Sequence, residues 1–128
     1  MIADDRPIFL QIAEMIESDI VEGALAEEAQ VPSTNEFAAH HRINPATAAK
    51  GINRLVDEGI LYKKRGIGMF VSTGARAALL DKRRAQFAAS YLEPMLAEAH
   101  KLGITPAEVS SMITGRDRAK TNGKQAGR

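Results

Sequence analysis

Apolar residues recur at helical spacing in the first part of the chain. In the stretch "RPIFLQIAEMIESDIVEG", isoleucines and Met15 return every three or four positions, a pattern that predicts an amphipathic helix. Pro7 suits the first turn of such a helix, where an amide hydrogen is not needed, and Gly23 suits its C-terminal cap. We therefore expect a first helix between Pro7 and Gly23.

Two shorter helices follow close together. Ser33, with a glutamate three residues later, forms a capping box, so a helix should begin at Ser33 and reach about His41. Asn44 and Pro45 then suit the N-cap and the first position of a third helix, which Gly59 should end. Because only a short turn separates these two helices, we expect a compact helix-turn-helix unit.

The apolar pattern changes from helical to extended after Gly59. The segments "ILYKK" and "MFVS" are rich in β-forming residues and flank the turn "RGIG", which predicts a small antiparallel hairpin over residues 60–72, here called the wing. Three helices followed by a wing are the elements of a winged helix-turn-helix. The predicted fold class is mainly α with a small β-hairpin, followed by a short α-helical region.

The remainder of the chain returns to helical spacing. A helical pattern runs from about Ala75 to Leu102, and Pro94 should kink or interrupt it. Thr105 starts another capping box, and from Gly115 the chain has almost no apolar residues, which predicts disorder. The predicted domains are a winged helix-turn-helix over 1–73, a helical dimerisation region over 74–114 and a disordered tail over 115–128.

Composition narrows the classes of protein. The 128 residues, 45% of them hydrophobic, suffice for one domain with an appendage. The absence of cysteine excludes disulfides, thiolate metal sites and cysteine nucleophiles. The N-terminus carries acidic residues where a signal peptide would carry cations, and no apolar run approaches the length of a membrane span. We therefore expect a cytoplasmic protein without a membrane partner.

Charge is distributed unevenly, although the formal net charge is only +1. Residues 1–29 carry one cation and eight anions, residues 30–72 carry six cations and three anions, and residues 73–128 carry ten cations and five anions. Such an asymmetry is typical of nucleic-acid-binding proteins. A charged run is also typical of an ordinary solvated face, so the distribution alone decides nothing.

The predicted third helix has two chemically different faces. Its apolar face carries Ala48, Ile52, Leu55 and Val56, and its opposite face carries Ala46, Thr47, Lys50 and Arg54. Lys50 can bond a guanine or a phosphate, Thr47 can bond either group, and the Ala46 methyl can pack on a thymine methyl. Asn44 is placed either to cap the helix or to reach an adenine, and capping is the more common role.

The turn "RGIG" has two interpretations. A glycine loop that holds a nucleotide phosphate follows a buried strand and opens a helix, whereas this turn joins two short strands, which disfavours an enzyme with a bound nucleotide. A hairpin tip that carries cations and slim glycines instead suits contact with DNA, and an ordinary solvated turn is the alternative. The candidate contact residues of the wing are Lys63, Lys64, Arg65, Gly66 and Gly68.

Candidate catalytic and metal-binding groups are sparse. His40 and His41 are adjacent, so their side chains point about 100° apart on a helix and do not chelate well, and His100 is remote in sequence. No Ser-His-Asp arrangement or carboxylate pair stands out. We expect no enzyme activity, no cofactor and no metal.

The motifs together resemble a known family. The segment "VPSTNEFA…INPATAAKGINRLVDEGILYKKRGIGMFV" is similar to the DNA-binding domain of GntR-family bacterial transcription regulators, over roughly residues 6–72. The resemblance implies that Ser33 caps the second helix and bonds a backbone phosphate. It implies that Thr47 and Lys50 contact DNA from the third helix, and that Gly66 and Gly68 reach toward the minor groove.

The chain departs from the family pattern in the helix-turn-helix. Asn35 stands where most members have an arginine that touches DNA, so it can still hydrogen-bond but brings no charge. Pro45 also replaces an arginine common elsewhere in the family. The short appendage resembles the YtrA subfamily, whose members lack the large effector domains of other GntR regulators.

The helical appendage carries a broad apolar stripe. Its candidate dimerisation residues are Phe87, Tyr91, Leu92, Met95 and Leu96. The resemblance implies a dimer built through C-terminal helices, and the alternative is that this region packs back on its own winged helix.

The predicted function is that of a homodimeric regulator, expected to be a repressor, that binds double-stranded DNA. It would place its third helix in the major groove and the wing alongside, over a pseudo-palindromic operator. Any small-molecule effector would have to bind at the dimer interface. The alternative is a winged-helix protein-interaction module without specific DNA binding.

Overall fold

The structure, a computed structural model, describes residues 6–126, with the side chains of residues 6–120. The first five residues of the predicted first domain and the last two of the predicted tail lie outside the described residues. The elements are α1 (Ile8–Glu22), α2 (Thr34–His41), α3 (Pro45–Asp57), β1 (Leu61–Lys64), β2 (Gly68–Val71), α4 (Ala75–Phe87), a π-helical turn (Ala88–Leu92), α5 (Glu93–Lys101) and α6 (Pro106–Ala126). This order confirms the predicted fold class.

The core of the winged helix lies mainly between α1 and α3. Its fully buried side chains include Ile12, Ile20, Ile52, Leu55, Leu61 and Val71. Burying one such side chain contributes roughly 1.5–3 kcal/mol, so this cluster supplies most of the driving force for docking the helices. The predicted apolar face of α3 is therefore the buried face, although Val56 is only half-buried.

Local capping sets the ends of the first three helices as predicted. The Ser33 hydroxyl accepts a hydrogen bond from the Glu36 amide at 3.1 Å, and the Glu36 carboxylate accepts one from the Ser33 amide at 2.9 Å. The Asn44 side chain accepts a hydrogen bond from the Ala46 amide at 2.7 Å. Gly23 ends α1 in the left-handed conformation, with a φ of 89°.

The wing is an antiparallel hairpin with an additional segment along one edge. Leu61 pairs with Val71 and Lys64 with Gly68, which is the register of β1 on β2. Gln30 forms an isolated bridge to Phe70 on the outer side of β2. The chain that leads into α2 therefore fastens the wing to the rest of the domain.

The first turns of α4 pack on the winged helix. The chain divides into two compact units between Arg83 and Arg84, ten residues beyond the predicted boundary at residue 73. Leu79 is 1% exposed in the first unit, and the Lys82 ammonium lies 3.4 Å from the Glu17 carboxylate. The start of the predicted dimerisation region thus completes the core of the winged helix, because Leu79 belongs to the same buried cluster.

The second unit contains the end of α4, the π-helical turn, α5 and α6. Pro94 has no amide hydrogen to donate, and just before it the Glu93 amide donates to the Ala88 carbonyl, five residues back. This pattern change is the predicted interruption. Thr105 and Glu108 form the predicted capping box at the start of α6, with hydrogen bonds of 3.0 and 3.1 Å.

The predicted disorder from Gly115 is corrected by the structure, because α6 continues to Ala126. The prediction relied on the lack of apolar residues, which measures packing rather than helix propensity. A helix already nucleated by its capping box adds residues at little cost, even where the segment mixes good helix formers with poor ones such as Gly115. The described side chains from Ser110 to Lys120 are all exposed.

Candidate nucleic-acid interface

The outward face of α3 carries the predicted contact residues. Ala46, Lys50 and Arg54 are exposed, and Thr47 is half-buried. The Asn44 side-chain oxygen bonds the Ala46 amide, so the structure favours the capping role over contact with a base. The small residues Ala48 and Gly51 lie on the buried face, where they allow α3 to approach α1.

The two cations of α3 have partners within the protein. The Lys50 ammonium lies 4.1 Å from the centroid of the Phe9 ring, a cation–π geometry. The Arg54 Nε lies 3.3 Å from the Glu58 Oε2, one helical turn away. Since exposed ion pairs of this kind are worth at most about 1 kcal/mol, Arg54 can exchange Glu58 for another anion at small cost.

The wing tip is a tight turn that presents cations. The Ile67 amide donates to the Lys64 carbonyl at 3.0 Å, and Gly66 has a φ of 75° between them. The side chains of Lys63, Lys64 and Arg65 are exposed around this turn. A positive φ at the third position of such a turn requires glycine, as predicted for Gly66.

Gln30 braces the wing tip, a role that the sequence did not predict. Its side-chain amide donates to the Ile67 carbonyl at 3.0 Å. Gly68 has a φ of 145°, and a Cβ at this position would collide with the end of the Gln30 side chain. The positive φ is what favours glycine here, because the flexible end of Gln30 could move away from an added Cβ.

Glu28 anchors both ends of the wing and was also missed. Its carboxylate accepts hydrogen bonds from the Thr73 and Tyr62 hydroxyls, which lie on either side of the hairpin. The bond from Thr73 and then that from Tyr62 hold the pKa of Glu28 below its ordinary value, and nearby Lys64 acts in the same direction. The hydrogen bond to Glu28 raises the pKa of Tyr62. No local pattern signals this contact, because Glu28 is distant in sequence from both hydroxyls.

Two aromatic rings hold Lys64 on the wing. Tyr62 and Phe70 stack with their centroids 5.8 Å apart, and the Lys64 ammonium lies 4.5 Å from the Phe70 centroid. Strand alternation places Tyr62 and Lys64 on one face of β1, so this signal was present in the sequence. The rings hold this cation near the wing tip, and the Glu28 carboxylate, which interacts electrostatically with Lys64, lies nearby.

A groove of about 370 Å³ joins the wing to the start of α2. It brings together five of the predicted contact residues: Ser33, Lys63, Lys64, Gly66 and Gly68. The groove is also lined by the Glu36 carboxylate of the capping box. Two lysines and the partial positive charge of the α2 N-terminus outweigh this single anion, so the groove suits an anionic ligand. Asn35 lies exposed on α2 but does not line this groove.

The α3 helix and the wing are connected directly. The Ile60 amide donates to the Leu55 carbonyl at 2.9 Å, and the Ser72 amide donates to the Ile60 carbonyl at 2.9 Å. The wing therefore leaves the end of α3 at a defined position. The cationic surface, defined as the outward face of α3, the start of α2 and the wing, belongs to one compact unit.

The predicted dimerisation residues lie in the second unit and are largely exposed. Tyr91 is 69% exposed and Phe87 is 58% exposed, and their ring centroids are 5.7 Å apart. Leu92 and Met95 are exposed and Leu96 is half-buried. An apolar groove of about 400 Å³, lined in part by Met95, lies between α5 and α6.

Within residues 6–126, no group of three or more His, Cys, Asp or Glu side chains is arranged to hold a metal ion. Among the helices of that same range, none combines the length and apolar content needed to cross a bilayer.

These elements define a winged helix-turn-helix protein with a cationic recognition surface. Residues 9–71 match the family model described as bacterial regulatory proteins of the gntR family. A GntR-family putative transcriptional regulator from Bacteroides thetaiotaomicron superposes with a TM-score of 0.70 at 32% identity, over 88% of this chain and 98% of that one. The chain belongs to the GntR family.

Two of the similar proteins are named as repressors. The chain is 38% identical over 66 residues to the HTH-type transcriptional repressor NagR of Bacillus subtilis, which covers 52% of this chain but only 27% of NagR. It is 28% identical over 98 residues to the repressor YtrA of the same organism, covering 77% of this chain and 75% of YtrA. The similarity to YtrA extends beyond the winged helix, as the short appendage predicted.

A solved complex with DNA also resembles the N-terminal unit. The DNA-binding domain of AraR in complex with operator ORX1 superposes with a TM-score of 0.50 at 33% identity, covering 52% of this chain and 81% of that one.

Proposed function

We propose that this protein is a transcription regulator that binds double-stranded DNA as a homodimer and represses from a pseudo-palindromic operator. Helix α3 enters the major groove of each half-site, and the wing lies alongside it. The observation that carries this proposal is the groove between α2 and the wing, whose lysines and helix N-terminus together favour a phosphate.

The proposed contacts divide into base reading and backbone binding. Thr47 and Lys50 project from the first turns of α3, the part of a recognition helix that reaches base edges. Ser33 and the wing cations Lys63 and Lys64 bind phosphates, which supply most of the affinity. Further proposed contacts come from Asn35, Ala46, Arg54, Arg65, Gly66 and Gly68, whereas Asn44 serves as the cap of α3.

The homodimer is supported by the exposed apolar residues of the second unit. Phe87, Tyr91, Leu92 and Met95 leave apolar surface in water, which favours association with a second copy. A dimer places two α3 helices on successive half-sites and so raises both affinity and specificity. An effector, if one regulates the protein, is proposed to bind at this interface.

The competing functions fit the same surface less well. A protein-interaction module would expose apolar side chains on α3, whereas Lys50 and Arg54 are exposed there. We propose no catalytic activity, since the cationic surface brings together no nucleophile and base. Action on bacterial chromosomal DNA would take place in the cytoplasm.

The proposal is tested by in vitro selection from a random duplex library, followed by fluorescence anisotropy with an enriched duplex and random competitor DNA. We expect a palindromic consensus, binding that survives the competitor, and a linear fall of log K with log salt concentration that corresponds to several phosphates. A protein that enriches no sequence, or that binds all duplexes equally, contradicts the proposal.

A further inference from the structure

Phe9 is the residue of α1 that lies beneath the Lys50 ammonium. Its ring is half-buried, and its centroid lies 4.1 Å from the Lys50 Nζ. We propose that Phe9 is a positioning residue for Lys50, so that the choice of base read by Lys50 depends on a side chain that does not itself touch DNA. This inference rests on the proposed function of the cationic surface.

The backbone geometry fixes the ring relative to Lys50. A Cβ added at Gly51, the next residue, would lie 2.7 Å from the Phe9 carbonyl oxygen and 3.0 Å from the Ile12 side chain. The first turn of α1 therefore packs against α3 at this point, over a buried core that includes Ile12 and Ala48. The backbone that carries the Phe9 ring is therefore held in place by its close packing against α3.

Restricting the mobility of the Lys50 side chain affects whether its ammonium contacts one particular base or any nearby phosphate. A free lysine side chain has about 2 kcal/mol of rotamer entropy, and its ammonium can follow either a base or a nearby phosphate. A ring under the ammonium limits it to one region while leaving its other N–H groups able to donate. Base readout requires a donor at a defined place, so the restriction favours a specific contact over a general one.

An uncharged aromatic ring such as that of Phe9 is also a suitable neighbour for a lysine on a DNA-binding surface. Arg54 is held by the carboxylate of Glu58, which repels an approaching phosphate. Phe9 orders Lys50 without adding negative charge, so the ordering does not weaken attraction to DNA. Lys64 on the wing lies over the Phe70 ring in the same way, at 4.5 Å.

The test is a double-mutant cycle in the full-length chain. The wild type, Phe9→Leu, Lys50→Met and the double variant are titrated against an enriched duplex and against a scrambled duplex of equal composition. We expect Phe9→Leu to weaken binding to the enriched duplex by about two- to five-fold when Lys50 is present, and to have no effect when Met occupies position 50. Phe9→Tyr, which keeps the ring, should bind as the wild type does.

A second measurement checks the contact without DNA. The ring should shift the proton resonance of the Lys50 ε-methylene upfield in the wild type, and this shift should disappear in Phe9→Leu. An equal loss of binding in both backgrounds would show that Phe9 only packs α1 on α3 and would overturn the inference. Unchanged or tighter binding by Phe9→Leu would overturn it as well. If the wild type enriches no sequence, the proposed function fails and this inference falls with it.

Discussion

At the scale of single residues, Gly51 decides how α1 and α3 pack. Its missing side chain admits the Phe9 carbonyl oxygen, which a Cβ would approach to 2.7 Å. Gly115 also lies within a helix, but a Cβ there would meet nothing within 4 Å. Replacing glycine by alanine should therefore lower the free energy of unfolding at position 51 and raise it at position 115.

Gly51→Ala should lower the free energy of unfolding by about 1–2 kcal/mol, since overpacking against backbone outweighs the gain in helix propensity. Gly115→Ala should instead stabilise α6 by about 0.5–1 kcal/mol. Urea unfolding followed by circular dichroism measures both. Stabilisation by Gly51→Ala would contradict the close α1–α3 contact.

A second residue-scale prediction concerns Glu28 and pH. Hydrogen bonds from Thr73 and Tyr62 hold its pKa below the ordinary value of 4.5, so the stability that they contribute is present above pH 4.5. It is lost as the pH falls from 4.5 through the lower pKa of the folded state, because the carboxylate then becomes protonated.

Glu28→Gln should therefore be less stable than the wild type at pH 7, and the difference should shrink as the pH falls below 4.5. Urea midpoints measured across this range test the prediction. Glu36 and Glu108, whose pKa values are also lowered by capping hydrogen bonds, titrate in both proteins and cancel in the comparison. A difference that is constant with pH would contradict the role of the Glu28 carboxylate.

At the scale of elements, two helices begin with the same capping chemistry in different places. Ser33 caps α2 at the groove beside the wing, and Thr105 caps α6 in the second unit. Each side chain accepts one backbone hydrogen bond at 3.1 Å. Only the first cap belongs to the proposed DNA-binding surface, so the second serves as its control.

Ser33→Ala and Thr105→Ala should each cost about 1 kcal/mol of stability, the usual worth of an N-cap. Ser33→Ala alone should also weaken DNA binding, because the hydroxyl is proposed to donate to a phosphate. Anisotropy titrations at fixed salt concentration test this under conditions in which both variants remain folded. Equal DNA affinity of the two variants would remove Ser33 from the proposed contacts.

At the scale of the whole molecule, α4 belongs partly to the DNA-binding domain. Ala75 and Leu79 are buried there, and the Arg83 guanidinium donates to the Ser18 hydroxyl at 2.9 Å. The exposed apolar residues proposed for dimerisation begin only at Phe87. A truncation after Arg83 should therefore keep the whole folded core and remove the proposed dimerisation residues. A truncation at the predicted boundary, residue 73, would also remove part of the core.

A fragment of residues 1–83 should be a folded monomer, whereas the full chain should sediment as a dimer. A fragment of residues 1–72 should be less stable than residues 1–83 by at least about 2 kcal/mol, because it lacks Leu79. Sedimentation velocity and urea unfolding measure these outcomes. Dimerisation of the 1–83 fragment would contradict the role proposed for Phe87 and Tyr91.

Local features of this protein could be predicted from the sequence alone. The caps at Ser33, Asn44 and Thr105, the wing turn and the buried face of α3 depend on residues a few positions apart. Backbone hydrogen-bond spacing and side-chain periodicity decide such features before the chain folds. The extent of α6 differs from the prediction, because apolar content does not tell whether a helix continues once its first turn has formed.

Only the tertiary structure decided which distant residues meet. Phe9 beneath Lys50, Gln30 at the wing tip, and Glu28 between Tyr62 and Thr73 all join segments far apart in sequence. Their positions follow from how α1 packs on α3 and how the edge segment pairs with β2, and no local pattern encodes that packing. The sequence by itself determined the elements and the cationic character of the surface, whereas the packing of the core determined how its side chains are held.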